Sequence, residues 1–243
     1  MFLPMVSIVK KELHQFFSSL TGYITIILFL LVNAIYLFIL KDSNIFDFGY
    51  ATLLSFFTLA PWVFIFLVPA LSMRSFSDEF KSGTFEILKT RPITTWQIVL
   101  GKYFAILSVI IISLIPTLLY VITIQKLSSS GIDGGAIAGS YIGLFLLASV
   151  FAAISTWCSS VTSNSVVAFL LSAFSCIILY FGFSAISQIP VFTGNADYYI
   201  EMLGIDFHYQ SISRGVIDTR DVIYFLSVLF FFLFVTRKNL IKK

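Results

Sequence analysis

Charge is what this chain has least of: Asp, Glu, Lys and Arg make up 11% of its 243 residues, against 58% hydrophobic ones. That balance excludes an ordinary soluble globular domain. There is no Gly-x-x-x-x-Gly-Lys-Ser/Thr loop, so the chain lacks the usual cradle for ATP phosphates. Neither His-Glu-x-x-His nor Gly-x-Ser-x-Gly occurs, which removes the common hydrolase signatures. The two cysteines, Cys158 and Cys176, have no metal or redox spacing and read as inert core thiols. Of the two histidines, His208 has no second His or Cys near it and reads as an interface residue rather than a metal ligand. A net charge of +3 does not argue for nucleic acid, because the basic residues fall where a membrane protein would place them.

What the chain has in place of charge is length of apolar sequence. Its mean hydropathy is +0.99 and it contains 28 phenylalanines. Six apolar runs are long enough to be read as membrane spans: 20–40, 52–73, 103–124, 136–157, 165–187 and 222–235. The last is short and would rely on Arg237 and Lys238 reaching to the interface. None of the six holds Asp, Glu, Lys, Arg or His. That argues against a proton- or voltage-driven machine and against an intramembrane enzyme, both of which need ionisable or nucleophilic groups within the membrane. The first run is too long for a signal h-region and is followed by no small-residue cleavage site, so it reads as an anchor. Pro61 and Pro69 in the second run and Pro116 in the third mark bends, either hinges or static kinks.

Orientation follows from the loop charges. With the N-terminus cytoplasmic, Lys10, Lys11, Arg74, Lys81, Lys89, Arg91, Lys102, Arg237, Lys238, Lys242 and Lys243 face inward, 11 of the 15 basic residues. Both termini are then cytoplasmic. The external loops are 41–51, 125–135 and 188–220, and the last carries the aromatic patches "DYY" and "FHY", which suit short interfacial or re-entrant helices. Before the first span, Val6, Val9, Leu13, Phe16 and Leu20 recur at steps of three and four. Lys11, His14, Gln15 and Ser18 fall on the opposite side, which predicts a helix over 5–19 lying flat on the membrane surface.

One stretch breaks the pattern. Residues 77–103, "SDEFKSGTFEILKTRPITTWQIVLGKY", carry seven charges. Gly83 and Pro92 are poor helix-interior residues, and Thr84–Thr90 between them has room for about two turns. Phe85 and Leu88 share a face, while Glu86 and Lys89 are spaced to pair at i,i+3. Thr94 and Gln97 then form a capping box that opens the next helix, with Ile93 stapling to Ile98. The residues alone allow two readings equally. In one, Phe85 and Leu88 fill a groove on a cytoplasmic partner while Glu79, Glu86 and Lys89 set orientation by charge. In the other, the stretch is a solvated loop whose charges fix topology.

Asp78-Glu79, then Gly83-Thr84-x-Glu86-x-Leu88, then Pro92 and "QIVLGKY" resembles the permeases of the type-2 ABC-transporter family. "SSVTSNSVVAF" at 159–169 is similar to that family's short second cytoplasmic loop, and "SISRGVIDTRDVIYFL" at 211–226 to its entry into the last span. Within the family, residues 44–86 resemble permeases of bacterial gliding motility. The resemblance implies an all-α polytopic inner-membrane protein: six transmembrane helices, an N-terminal amphipathic elbow helix, a cytoplasmic coupling helix within 74–92 and re-entrant helices in 188–220. It implies a homo- or heterodimeric permease in the lipid bilayer, docked on an ABC ATPase subunit that holds the ATP and Mg; this chain would bind no cofactor and would not itself be an enzyme. The expected ATPase-coupling residues are Glu79, Gly83, Thr84, Phe85, Glu86, Leu88 and Pro92. A rival reading from another class is a membrane anchor or scaffold that transports nothing.

Overall fold

In a computed structural model, residues 3–40, 52–128, 131–189 and 196–242 are described, and all their regular structure is helical. The external loop read at 41–51 lies outside them, as do 129–130 and 190–195 of the other two external loops. In chain order the helices are α1 (Leu3–Ser18), α2 (Leu20–Phe38), α3 (Leu54–Ser72), α4 (Arg74–Ser82), α5 (Thr84–Lys89), α6 (Thr95–Leu114), α7 (Leu118–Leu127), α8 (Gly134–Val161), α9 (Ser165–Ile177), α10 (Phe183–Ser187), α11 (Ala196–Glu201), α12 (Ile205–Ser213) and α13 (Thr219–Lys242). Among the described residues, six helical stretches are long and apolar enough to cross a membrane: Leu20–Phe38, Leu54–Ser82, Thr95–Leu127, Gly134–Val161, Ser165–Ser187 and Thr219–Lys242.

Three of these differ most in length from the apolar runs, each for a local reason. The second continues past its apolar part into the charged α4. The third begins eight residues earlier than the run at 103, because the capping box at Thr94 starts the helix there: Gln97 N–H donates to Thr94 Oγ1 at 3.3 Å, and Thr94 N–H to Gln97 Oε1 at 2.9 Å. Lys102 therefore sits within the helix rather than in the loop before it. The sixth is a full 24-residue helix rather than a short run, since Thr219–Asp221 and the basic end from Arg237 join it. Pro116 is accommodated by a 3-10 turn, Ile115–Thr117, between α6 and α7. Thr117 Oγ1 donates back to Leu114 O at 2.7 Å, and Tyr141 of α8 donates to Thr117 O at 3.1 Å.

α8 is the hub, packed against α13, α3, α9, α12, α4 and α6. Its inward side is built from small residues, with Ala148, Ser149, Ala152, Ala153, Ser155, Thr156, Ser159 and Ser160 all buried, so neighbouring backbones approach closely without large cavities. Aromatic rings fill the space further out: Phe29 of α2 stacks on Phe64 of α3 with centroids 4.6 Å apart, and Phe56 meets Phe57, Tyr120 and Tyr141. α1 packs chiefly against α6. Gly101 permits this, because a Cβ there would lie 2.7 Å from Ile8 Cγ2.

Candidate functional site

The site is the corner after α3. Met73 interrupts the helix, and α4 resumes at Arg74. A new helix start leaves its first N–H groups unpartnered, and no side chain of Met73 can cap them. Ser159 of α8 supplies the cap from across the bundle. Its Oγ accepts from Phe76 N–H at 3.0 Å and Ser77 N–H at 3.3 Å, and donates to Met73 O at 3.0 Å. One hydroxyl proton and two lone pairs are all used. Ser159→Ala is expected to leave two buried N–H groups without their acceptor, while Met73 O keeps its bond from Ser77 Oγ, destabilising the fold by about 1–3 kcal/mol. A melting midpoint in detergent equal to wild type would remove Ser159 from that role.

α4 ends on Gly83, whose φ of +70° is the left-handed conformation that glycine adopts without penalty. The chain turns there into α5, and Pro92 separates α5 from the capped start of α6. Phe85 is buried, its ring set edge-on to Phe80 at 5.0 Å and Phe76 at 6.4 Å. Leu88 is half-buried against the core. Lys89 Nζ lies 5.4 Å from the centre of the Phe85 ring; it forms no ion pair with Glu86, contrary to the i,i+3 expectation, because the ring beneath it draws the ammonium. The exposed surface of the corner is made by Lys81, Thr84, Glu86, Ile87, Arg91 and Pro92.

Under the corner lies a cluster of ions. Lys102 of α6 is 1% exposed, and each of its three ammonium protons has an acceptor: Ser75 O at 2.6 Å, Glu12 Oε1 at 2.8 Å and Glu79 Oε1 at 2.9 Å. Its Nζ also lies 5.0 Å from the centre of the Phe76 ring. Lys11 reaches Glu79 Oε1 from the surface at 3.3 Å. One buried lysine thus ties α1, α4 and α6 together. A charge this deep is tolerated only when paired and fully hydrogen-bonded, and this one is both.

The expected coupling residues therefore divide. Gly83, Thr84, Glu86 and Pro92 lie on the exposed corner, whereas Phe85 and Glu79 face inward, Glu79 engaged with Lys102 and Lys11, and Leu88 sits between. On α1, Phe16 is buried, Val9 and Leu13 are half-buried, and Val6 is exposed, as is Leu20 at the start of α2. The side of α1 most deeply packed is Ile8, Glu12 and Phe16, one helical turn apart each. Sequence reasoning passed over three residues here. Glu12 reads as a stray charge on an amphipathic helix, and Ser159 as one serine among many. Ile87, 62% exposed on α5, reads as the far side of a small helix; its signal was a large aliphatic residue amid charges.

At the opposite end of the bundle, α12 is pinned to α13. His208 Nδ1 lies 2.7 Å from Asp221 Oδ1 and Nε2 lies 2.9 Å from Met202 O, and the ring stacks on Tyr224 at 3.9 Å. Asp206, in the first turn of α12, has its carboxyl pushed up by burial, opposed by hydrogen bonds from Tyr180 and Gln210. Tyr209 donates to Phe57 O of α3 at 2.6 Å. His208 is thus a packed, hydrogen-bonded residue.

Six apolar spans, a small-residue hub helix and a charged helical corner at one end define a polytopic membrane protein of the permease class. The family model for ABC-2 family transporter proteins matches residues 6–212, and the chain belongs to that family. Comparison with curated proteins gives no match. Permeases of the ABC-2 family work with ABC ATPase subunits, and their membrane domain has no ATPase activity of its own.

Proposed function

We propose that this chain is the membrane-spanning subunit of an ATP-driven exporter, coupled to its ATPase through the α4–α5 corner. The observation that carries the proposal is the mounting of that corner. It is exposed at its tip, continuous with α3 except for the Ser159-capped joint, and braced on α1 and α6 by Lys102. A push on α5 would therefore be carried into the spans rather than absorbed by a loop. Glu86 and Ile87 make the contact, Gly83 and Pro92 set its shape, and Glu79 and Phe85 hold it to the bundle. ATP and Mg²⁺ are held in the partner subunit, and this chain binds neither. Two permease chains, identical or different, assemble in a bacterial inner membrane with both termini cytoplasmic, as the loop charges favour. α1 lies at the cytoplasmic membrane surface as the elbow, and α11 and α12 re-enter the outer side. The resemblance of residues 44–86 to gliding-motility permeases supports gliding as the process served.

Purification of the tagged chain from native membranes in mild detergent tests this. A Walker-type ATPase is expected to stay bound to wild type and to be lost, about tenfold or more, from Glu86→Lys, since an opposed charge at a rim contact costs on the order of 1–2 kcal/mol. Full retention by Glu86→Lys would remove that residue from the contact. Absence of any ATPase under gentle extraction would put the scaffold reading ahead.

A further inference from the structure

A cleft of about 300 Å³ opens between α1, the end of α3 and α4, at the low end of the range for small-ligand pockets, ~300–1,000 Å³. Its lining is graded. Phe16, Ala70 and Leu71 are its apolar part, and charged and neutral polar groups form the rest. Those charges balance: Lys11, Arg74 and Lys102 stand against Glu12, Asp78 and Glu79. Lys102, Lys11, Glu12 and Glu79 pair with one another, but Arg74 and Asp78 form no ion pair among the described residues. In addition, Ser75 Oγ and Glu79 Oε2, atoms of two lining residues, are buried without hydrogen-bond partners. Leaving a buried acceptor unmet is costly, so a hydrogen-bond donor is what the floor lacks.

We propose that this cleft binds a phosphoethanolamine group. A balanced set of charges favours a zwitterion, because a purely anionic or cationic guest would leave one sign uncompensated in a partly enclosed site. The phosphate meets Arg74 and Lys11. The ammonium meets Asp78 and, once the floor opens by a side-chain rotation, Glu79 Oε2 and Ser75 Oγ. A quaternary ammonium has no N–H to give them, so choline in place of ethanolamine binds less well. The apolar end of the cleft fits the glycerol and first acyl carbons of a lipid, which makes phosphatidylethanolamine the expected source. That last step rests on the reading that α1 lies at the membrane surface. A headgroup held here touches α1 and the coupling corner together, so lipid composition would modulate the coupling.

The test is native mass spectrometry of the full chain in detergent, with short-chain phosphatidylethanolamine, short-chain phosphatidylcholine and free phosphoethanolamine at equal concentration. Phosphatidylethanolamine is expected to be retained at least tenfold over phosphatidylcholine, and Arg74→Gln with Asp78→Asn to bring the two level. Neither substitution breaks an ion pair, so an unchanged melting midpoint confirms the fold. Ser75→Ala, a smaller change, should lower ethanolamine-lipid retention severalfold and leave choline-lipid retention as it is. Retention of free phosphoethanolamine without the lipid supports the headgroup chemistry and overturns the lipid source. Equal retention of both lipids by wild type, or an unaffected double variant, overturns the proposal. ATPase co-purification from the same preparation keeps the two readings apart: an ATPase that stays bound while lipid preference is absent sinks only the cleft.

Discussion

Replacing Lys102 by methionine is expected to cost this protein about 3–5 kcal/mol, the range for breaking a buried ion pair from one side. The side chain volume is nearly kept, so the loss is electrostatic. Glu12 and Glu79 would remain largely buried without their shared ammonium, and Ser75 O would lose that donor too. Lys11 compensates only in part, since it lies at the surface and reaches Glu79 at 3.3 Å but Glu12 at 4.0 Å. The midpoint of thermal unfolding in detergent should fall, together with the yield of monodisperse protein. Removing the orphaned charges should recover much of the loss, so Glu12→Gln and Glu79→Gln added to Lys102→Met are expected to stand well above the single variant. Arginine is not an adequate substitute, because its planar fork cannot place three donors where the tetrahedral ammonium places them. A single variant as stable as wild type would mean that the cluster holds nothing together, and the bracing of the corner would fall with it.

The architecture was legible because its causes are local. Apolar runs announce helices that cross a membrane, a capping box announces the start of α6, and a glycine followed by a proline announces a corner. The ends of the spans were less legible. Lys102 closed an apolar run when read along the chain, yet the helix passes through it, since the compensating carboxylates come from residues 90 and 23 positions earlier. Glu12 on α1 and Glu79 on α4 are drawn to one ammonium only once α1 folds against α6, a pairing that periodicity does not encode. Ser159 is hidden for the same reason. It caps a helix that begins more than eighty residues before it, and a serine in a small-residue helix carries no mark of that duty. Within the corner, the share of charges and apolar residues was visible, but their sides were not. Phe85 turned inward to Phe76 and Phe80 because burying a ring outweighs offering it to a partner, and that left Ile87 outward.

Ile87→Asp is accordingly the substitution expected to act most strongly on partner binding with least effect on the fold. The residue is 62% exposed, is not part of the buried core, and lies on a six-residue helix whose shape is set by Gly83 on one side and Pro92 on the other. A large aliphatic side chain held out on the tip, near Thr84 and Arg91 and on a helix that also exposes Glu86, has the form of an anchor: an apolar centre that fills a pocket and a polar rim that excludes water. Removing such an anchor typically costs 2 kcal/mol or more, roughly thirtyfold in affinity, and a buried carboxylate in its place adds a desolvation cost. The bound ATPase should therefore be lost more completely than from Glu86→Lys, whose charge sits at the rim. Ile87→Leu, which keeps the volume, should retain it. The melting midpoint of the permease alone should stay within the range of a surface change, about 0.5 kcal/mol. Should Ile87→Asp hold its ATPase as tightly as wild type, the contact lies elsewhere than on this tip. The buried Phe85 and the inward Glu79 would then have to be explained by packing alone.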